Sequence, residues 1–145
     1  MRTSKKKAIR LFIREIDENI RVRFQPYAME CDIENEIVYV GPEDPKANRL
    51  YYDYVKKLYP ECQYSCLLMS ILHEIGHIMM FDWGEQMLRY LNNLYMEDEL
   101  AKENISYEEA CKKYFEFPQE KDATEWGIWF AQNNPQLMEK FSWLR

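Results

Sequence analysis

The chain has 145 residues, of which 47% are hydrophobic, 15% aromatic and 30% charged, with a net charge of −6. That length predicts one domain, 1–145, able to bury about 70% of its unfolded surface without a disulfide or structural metal, and the composition excludes a disordered chain. The acidic balance sets direct nucleic-acid binding aside, and no apolar run reaches the roughly 18 residues of a membrane span.

Even the most apolar stretch, Cys66 to Phe81, is interrupted by Ser70, His73, Glu74 and His77. The N-terminus, MRTSKKKAIRLFIREI, is basic but has neither an uninterrupted apolar segment nor a small-residue cleavage site, which reads as cytoplasmic. In such a chain the cysteines at 31, 62, 66 and 111 are expected to be reduced. Charge is unevenly placed: residues 1–14 carry six basic side chains and no acid, whereas residues 97–125 carry ten acids against four lysines. Both read first as solvated surface.

In chain order, Ile9, Phe12, Ile13, Ile16 and Ile20 recur at three- and four-residue steps and predict a helix from about Ser4 to Ile20. The segment VRFQPYAMECDIENEIVYVGP then turns β-branched and aromatic around IENE, which predicts one small antiparallel β-hairpin. Pro26 in its first arm implies an edge position or a late start, because proline cannot donate to a ladder. Asp44 as N-cap and Pro45 at the first helical position predict a second helix, closed by Pro60.

The central helix is expected from about Cys62 to the DWG at 82–84. Leu68, Ile71, Leu72, Ile75, Ile78 and Met79 form its broad apolar arc, and Cys62, Cys66, Ser70, His73, His77 and Met80 a narrower stripe on the other side. A helix around 85–97 follows, and Ser106 with Glu109 three residues on has the form of a capping box. Pro118 separates that helix from the next, whose apolar face is read from Ala123, Trp126, Trp129 and Phe130, and Asn134-Pro135 opens a short final helix. The class is α+β, mostly helical with one small sheet.

Both histidines of the chain lie in LHEIGHIMM, as His73-Glu74-x-x-His77. Histidines at i and i+4 project to one side of a helix within ~6 Å and can take two corners of a tetrahedral Zn²⁺ site. The glutamate at i+1 sits beside such a metal, where it can take a proton from water. Gly76, costly inside a helix, is explained if another backbone or a ligand comes close. Cys62 and Cys66 are not co-ligands in a continuous helix, since Cys66 lies ~10 Å along the axis from His73; they read as small buried hydrophobes.

A third ligand is missing. A further histidine six residues after the second is excluded by Trp83, so a carboxylate must serve, and Glu120, Asp122 and Glu125 all stand after Pro118. An apolar face anchored by Ala123 puts Glu120 on or next to the core side, but composition alone does not choose among the three.

HEIGH (His73 to His77) together with EKDATEWG (Glu120 to Gly127) resembles the ImmA/IrrE-type metallopeptidases, gluzincins of bacteria, phages and mobile elements whose second motif reads E-x-x-A-[N/D]-x-F-A. The resemblance implies a zincin-like metallopeptidase fold, zinc held by His73, His77 and Glu120, and Glu74 as general base. It departs at Thr124, where the family has an Asn or Asp that supports a ligand histidine. The expectation is that Asp122 or Glu125 takes that role, or that the site is weak.

The first functional expectation is therefore a zinc-dependent peptidase acting on a peptide or protein substrate, with the hairpin edge at Ile37 to Val40 as a place for strand addition. No single tyrosine among eleven stands out to stabilise the oxyanion. The second is a zinc-bearing but catalytically weak module that docks to a partner such as a DNA-binding repressor, an association the resemblance implies. A weaker third is a hydrolase of some other amide or ester.

Overall fold

The computed structural model describes residues 1–42, 45–81 and 85–145, with only the backbone of Glu85 and Gln86. The expected Asp44 cap and the DWG helix stop lie outside the described residues. Among these residues there are seven helices and three strands, in the order α1 (Thr3–Ile16), β1 (Arg21–Phe24), β2 (Glu30–Asp32), β3 (Ile37–Val40), α2 (Lys46–Leu58), α3 (Cys66–Met79), α4 (Glu85–Ala101), α5 (Tyr107–Phe115), α6 (Pro118–Asn133) and α7 (Pro135–Lys140). None of the helices is long and apolar enough to cross a membrane.

Helix α1 stops four residues before the expected Ile20. Asp17 Oδ1 accepts from the Asn19 N–H at 2.8 Å, a local turn that competes with further helical bonding. Ala8, Ile9, Phe12 and Ile13 point into the core, where the Phe12 ring meets Phe141 of the chain's last turn at 5.3 Å between centroids.

The sheet is mixed rather than a single antiparallel hairpin, with strand order β1-β3-β2. β3 runs parallel to β1, Val22 opposite Val38, and antiparallel to β2, Cys31 opposite Val38. The hairpin itself is β2–β3, turned through Ile33 to Glu36: Asp32 carboxylate oxygens accept from the backbone and side-chain N–H groups of Asn35, and Glu36 takes a φ of 52°. Pro26 falls between β1 and β2, so the late start was the correct alternative. The expected free edge at Ile37 to Val40 is wrong, because β3 is the central strand. Its β-branched residues are covered, with Ile37, Val38 and Val40 buried, and the free edge nearest α3 belongs to β2.

Helix α2 is capped by Pro45 instead of starting on it. Helix α3 is the spine of the molecule, with twelve of its fourteen residues buried. It begins at Cys66, not Cys62, because Ser65 caps it: Ser65 Oγ accepts from Leu68 N–H and donates to the Leu144 carbonyl. Within α3 the stripe carrying the histidines is thus buried from Cys66 to His77, like the opposite arc, whereas Met80 of the stripe and Met79 of the arc are exposed at the helix end. Cys62 and Cys66 are buried and outside any disulfide, as expected, the latter donating to the Asn48 carbonyl at 3.2 Å.

Helix α6 packs along α3, and the contact is made by small residues. Ala123, Gly127 and Ala131 are buried together with Gln119, Glu120 and Thr124, whereas Trp129 is 55% exposed. The aromatic face expected for α6 is therefore displaced: Trp126 and Phe130 stack at 5.1 Å and flank the core, and Trp129 is outside. Two helices in near contact leave no room for indoles between them.

Candidate metal centre

Gly76 shows how close the helices come. A Cβ placed there would lie 2.6 Å from the Ala123 carbonyl oxygen and 3.1 Å from its Cα, both backbone atoms that cannot turn away. The glycine is thus required by a neighbouring backbone, one of the two reasons expected from sequence. On the other helix, a Cβ at Gly127 would meet Leu72 Cβ at 3.4 Å, an ordinary contact.

This seam brings the first turn of α6 against the third turn of α3. Glu120 is 2% exposed. Its Oε2 lies 2.7 Å from His77 Nε2, its Oε1 lies 3.6 Å from His73 Nε2, and the two Nε2 atoms are 3.1 Å apart. One ligand atom from each residue thus falls within 4.8 Å of the others, which makes His73, His77 and Glu120 a cluster able to hold a metal ion. Four-coordinate zinc with bonds of ~2.0–2.1 Å needs ligand atoms ~3.3 Å apart, and the three separations bracket that spacing. The chemistry agrees: two imidazole nitrogens and a carboxylate oxygen converge in the interior, a donor set that suits a divalent cation.

Electrostatics hold the carboxylate ionised. Burial alone would raise Glu120, but the adjacent His77 and His73 outweigh it and its pKa falls well below the usual range. Burial likewise opposes the charged form of His77, yet Glu120 draws its pKa upward. The position of Glu120 at the start of α6, where backbone N–H groups are unpaired, further favours negative charge.

Thr124 changes the sequence reading. Its hydroxyl is buried 3.2 Å from His73 Nδ1, one turn along α6 from Glu120. With Nδ1–H donated to Thr124 Oγ1, the Nε2 lone pair faces the cluster, the tautomer a metal ligand needs. Tyr51 packs its ring against His73 at 4.4 Å between centroids and fixes the other side. Neither expected substitute is near: Asp122 pairs with Arg89 of α4, and Glu125 is exposed beside an open groove with Leu88 and Lys121. The signal for Thr124 was its i+4 spacing from Glu120, which puts both on one helix face.

Compared with protein-family models, curated proteins and solved structures, the chain matches none. What the site does must therefore be argued from its own geometry.

Glu74 is half-buried and lines a cleft of about 430 Å³ that also contains His73, His77 and Glu120. Burial pushes its carboxyl above the ordinary value, a shift that the histidines oppose, and the Cys31 thiol of β2 is within hydrogen-bond reach. Residues Ala28 to Cys31, leading into β2, border the same cleft. Tyr114 of α5 also lines it, and its hydroxyl approaches both Glu120 and Glu97 of α4. Cys31, Glu97 and Tyr114 carried no signal in sequence, because each reaches the cleft only through the packing of a separate element.

Proposed function

We propose that the chain is a zinc-dependent peptidase of the ImmA/IrrE type, hydrolysing a peptide bond in the cleft between β2, α3 and α6. The observation that supports it best is the convergence of His73, His77 and Glu120 with Glu74 beside them in one cleft. His73, His77 and Glu120 would hold the zinc, which would supply Lewis acidity toward a water and a carbonyl oxygen.

The protein's own groups do the rest. Glu74, whose carboxyl pKa is pushed above its ordinary value by burial, takes the proton from water and passes it to the leaving amine. The Tyr114 hydroxyl lines the same cleft and is the group assigned to negative charge developing on the carbonyl oxygen. Thr124 and Tyr51 hold the His73 ring. The unpaired edge of β2 offers main-chain hydrogen bonds to an extended peptide.

The alternative, a zinc-bearing module that docks to a partner without catalysis, drew on Thr124 as a missing support; Thr124 Oγ1 lies at His73 Nδ1, which removes that ground. One experiment separates the readings. Purified protein and Glu74→Gln are analysed for zinc and incubated with a proteome-derived peptide library, and new N-termini are identified by mass spectrometry. About one zinc per chain in both, with cleavage only in the wild type, is the expected result. Zinc in both with no cleavage by either supports the docking module, and a zinc-free wild type at micromolar zinc sinks both.

A further inference from the structure

The cleft is strongly one-signed. Glu30, Glu74, Glu97 and Glu120 line it, and no lysine or arginine is among its described lining residues. Glu120 belongs to the metal cluster and Glu74 to the water beside it, which leaves Glu97 of α4 and, at the exposed mouth, Glu30 of β2.

Glu97 does not stand alone. Asn93 lies one turn before it on the same face of α4 and lines the same cleft. Asn93 is only 6% exposed, and its Oδ1 has no hydrogen-bond donor among the described residues. A buried acceptor left unpaired is destabilising unless something else brings the N–H. Glu97 has the Tyr114 hydroxyl nearby, but that hydroxyl has one proton and also faces Glu120. The α4 wall therefore presents a carboxylate and an unpaired amide oxygen, one turn apart on the same helix face.

We propose that this wall is the specificity site for a basic side chain of the bound peptide, arginine above lysine. The inference rests on the peptidase reading for the identity of the ligand as a peptide. A guanidinium is planar and carries five N–H donors, enough to bridge Glu97 and Asn93 Oδ1 together, whereas an ammonium is a point charge with three. A neutral glutamine satisfies Asn93 and leaves the charge of Glu97 unanswered; an acidic side chain meets the carboxylates of Glu97 and Glu30. Glu97 is close enough to His77 and Glu120 for their charges to act on one another, so the residue it reads lies near the scissile bond.

The test uses binding, so it does not depend on turnover. Zinc-loaded Glu74→Gln protein is titrated at low salt with fluorescent capped alanine pentapeptides carrying one central Arg, Gln or Glu. The Arg peptide is expected to bind at least tenfold more tightly than the Gln peptide, with Glu weakest, and the preference shrinks as salt is raised. Adding Glu97→Gln lowers the Arg-over-Gln ratio at least fivefold while zinc content is unchanged. An Arg peptide that binds no better than the Gln peptide, or not at all, overturns the proposal, as does a preference that survives Glu97→Gln. Zinc analysis of the same samples separates the failures: a zinc-free protein that still prefers Arg defeats the metallopeptidase reading and leaves this site standing, and a zinc-loaded protein without preference does the reverse.

Discussion

Helices α3 and α6 supply between them the buried cluster of His73, His77 and Glu120, yet they are built on opposite plans. α3 is buried on nearly every side, twelve residues of fourteen, and carries its chemistry as a local pattern within five residues. α6 buries only six of sixteen, most of them small, and contributes Glu120 and Thr124 through a narrow face that its aromatic residues disguise. A helix buried all round has its position dictated by packing, whereas α6 depends on one seam. Placement of the site is therefore most vulnerable along that seam.

The largest effect is expected from removing ligands on either side of it. His77→Ala and Glu120→Ala should each abolish zinc retention after dialysis, measured by elemental analysis, whereas Glu125→Ala should keep about one zinc per chain. A Glu125→Ala protein that alone loses metal would assign the third ligand to the wrong turn of α6.

Next, the seam itself. Gly76→Ala drives a methyl group into the Ala123 backbone and should cost about 1–3 kcal/mol in urea unfolding, with weakened zinc binding alongside. Gly127→Ala, where the added carbon meets an ordinary contact, should cost less than about 1 kcal/mol. Equal losses in the two would mean that the helices adjust freely and that the seam does not set the site.

Thr124→Val keeps the shape and deletes the hydroxyl. Zinc affinity, measured by competition with a chelator, should fall about 10-fold or more, and Thr124→Ser should recover most of it. Unchanged affinity in the valine variant would reduce Thr124 to packing.

The smallest effect is a pH signature of the metal-free protein. The folded pKa of His77 lies above its reference value of 6.5, so its contribution to stability is complete below that pH and is lost as pH rises through the folded value. The folded pKa of Glu120 lies below its reference value of 4.5, so its contribution is complete above that pH and fades as pH falls through the folded value. The pair thus stabilises most between pH 4.5 and 6.5. Urea midpoints of chelator-treated wild type relative to Glu120→Gln should show their largest difference in that window and a progressively smaller one as pH rises beyond it.

The contrast between the helices also explains what could be read in advance. The helical placement of HEIGH, the close approach at Gly76, the Ser106 cap and the prolines at the starts of α6 and α7 are local, and each took its expected place; Pro45 came one position early, as the cap of α2. Glu120 stood out only through a resemblance, and Thr124 was misjudged as a gap because its partner is fifty-one residues away. The parallel pairing of β1 with β3 was missed for a similar reason: short β-branched runs reveal strands but not their neighbours. Trp129 was placed inward on its apolarity, whereas the close approach of α6 to α3 selects for size before hydrophobicity.

The contact at Gly76 and Ala123 is between main chains, and main chains have no rotamers to search. That contact fixes the two helix backbones that carry His73, His77 and Glu120, so folding itself brings the three side chains together. Unlike a zinc finger, which is unfolded until its metal binds, this protein is expected to stay folded when stripped by a chelator and to take up zinc in a single bimolecular step, with no accompanying change in helical content.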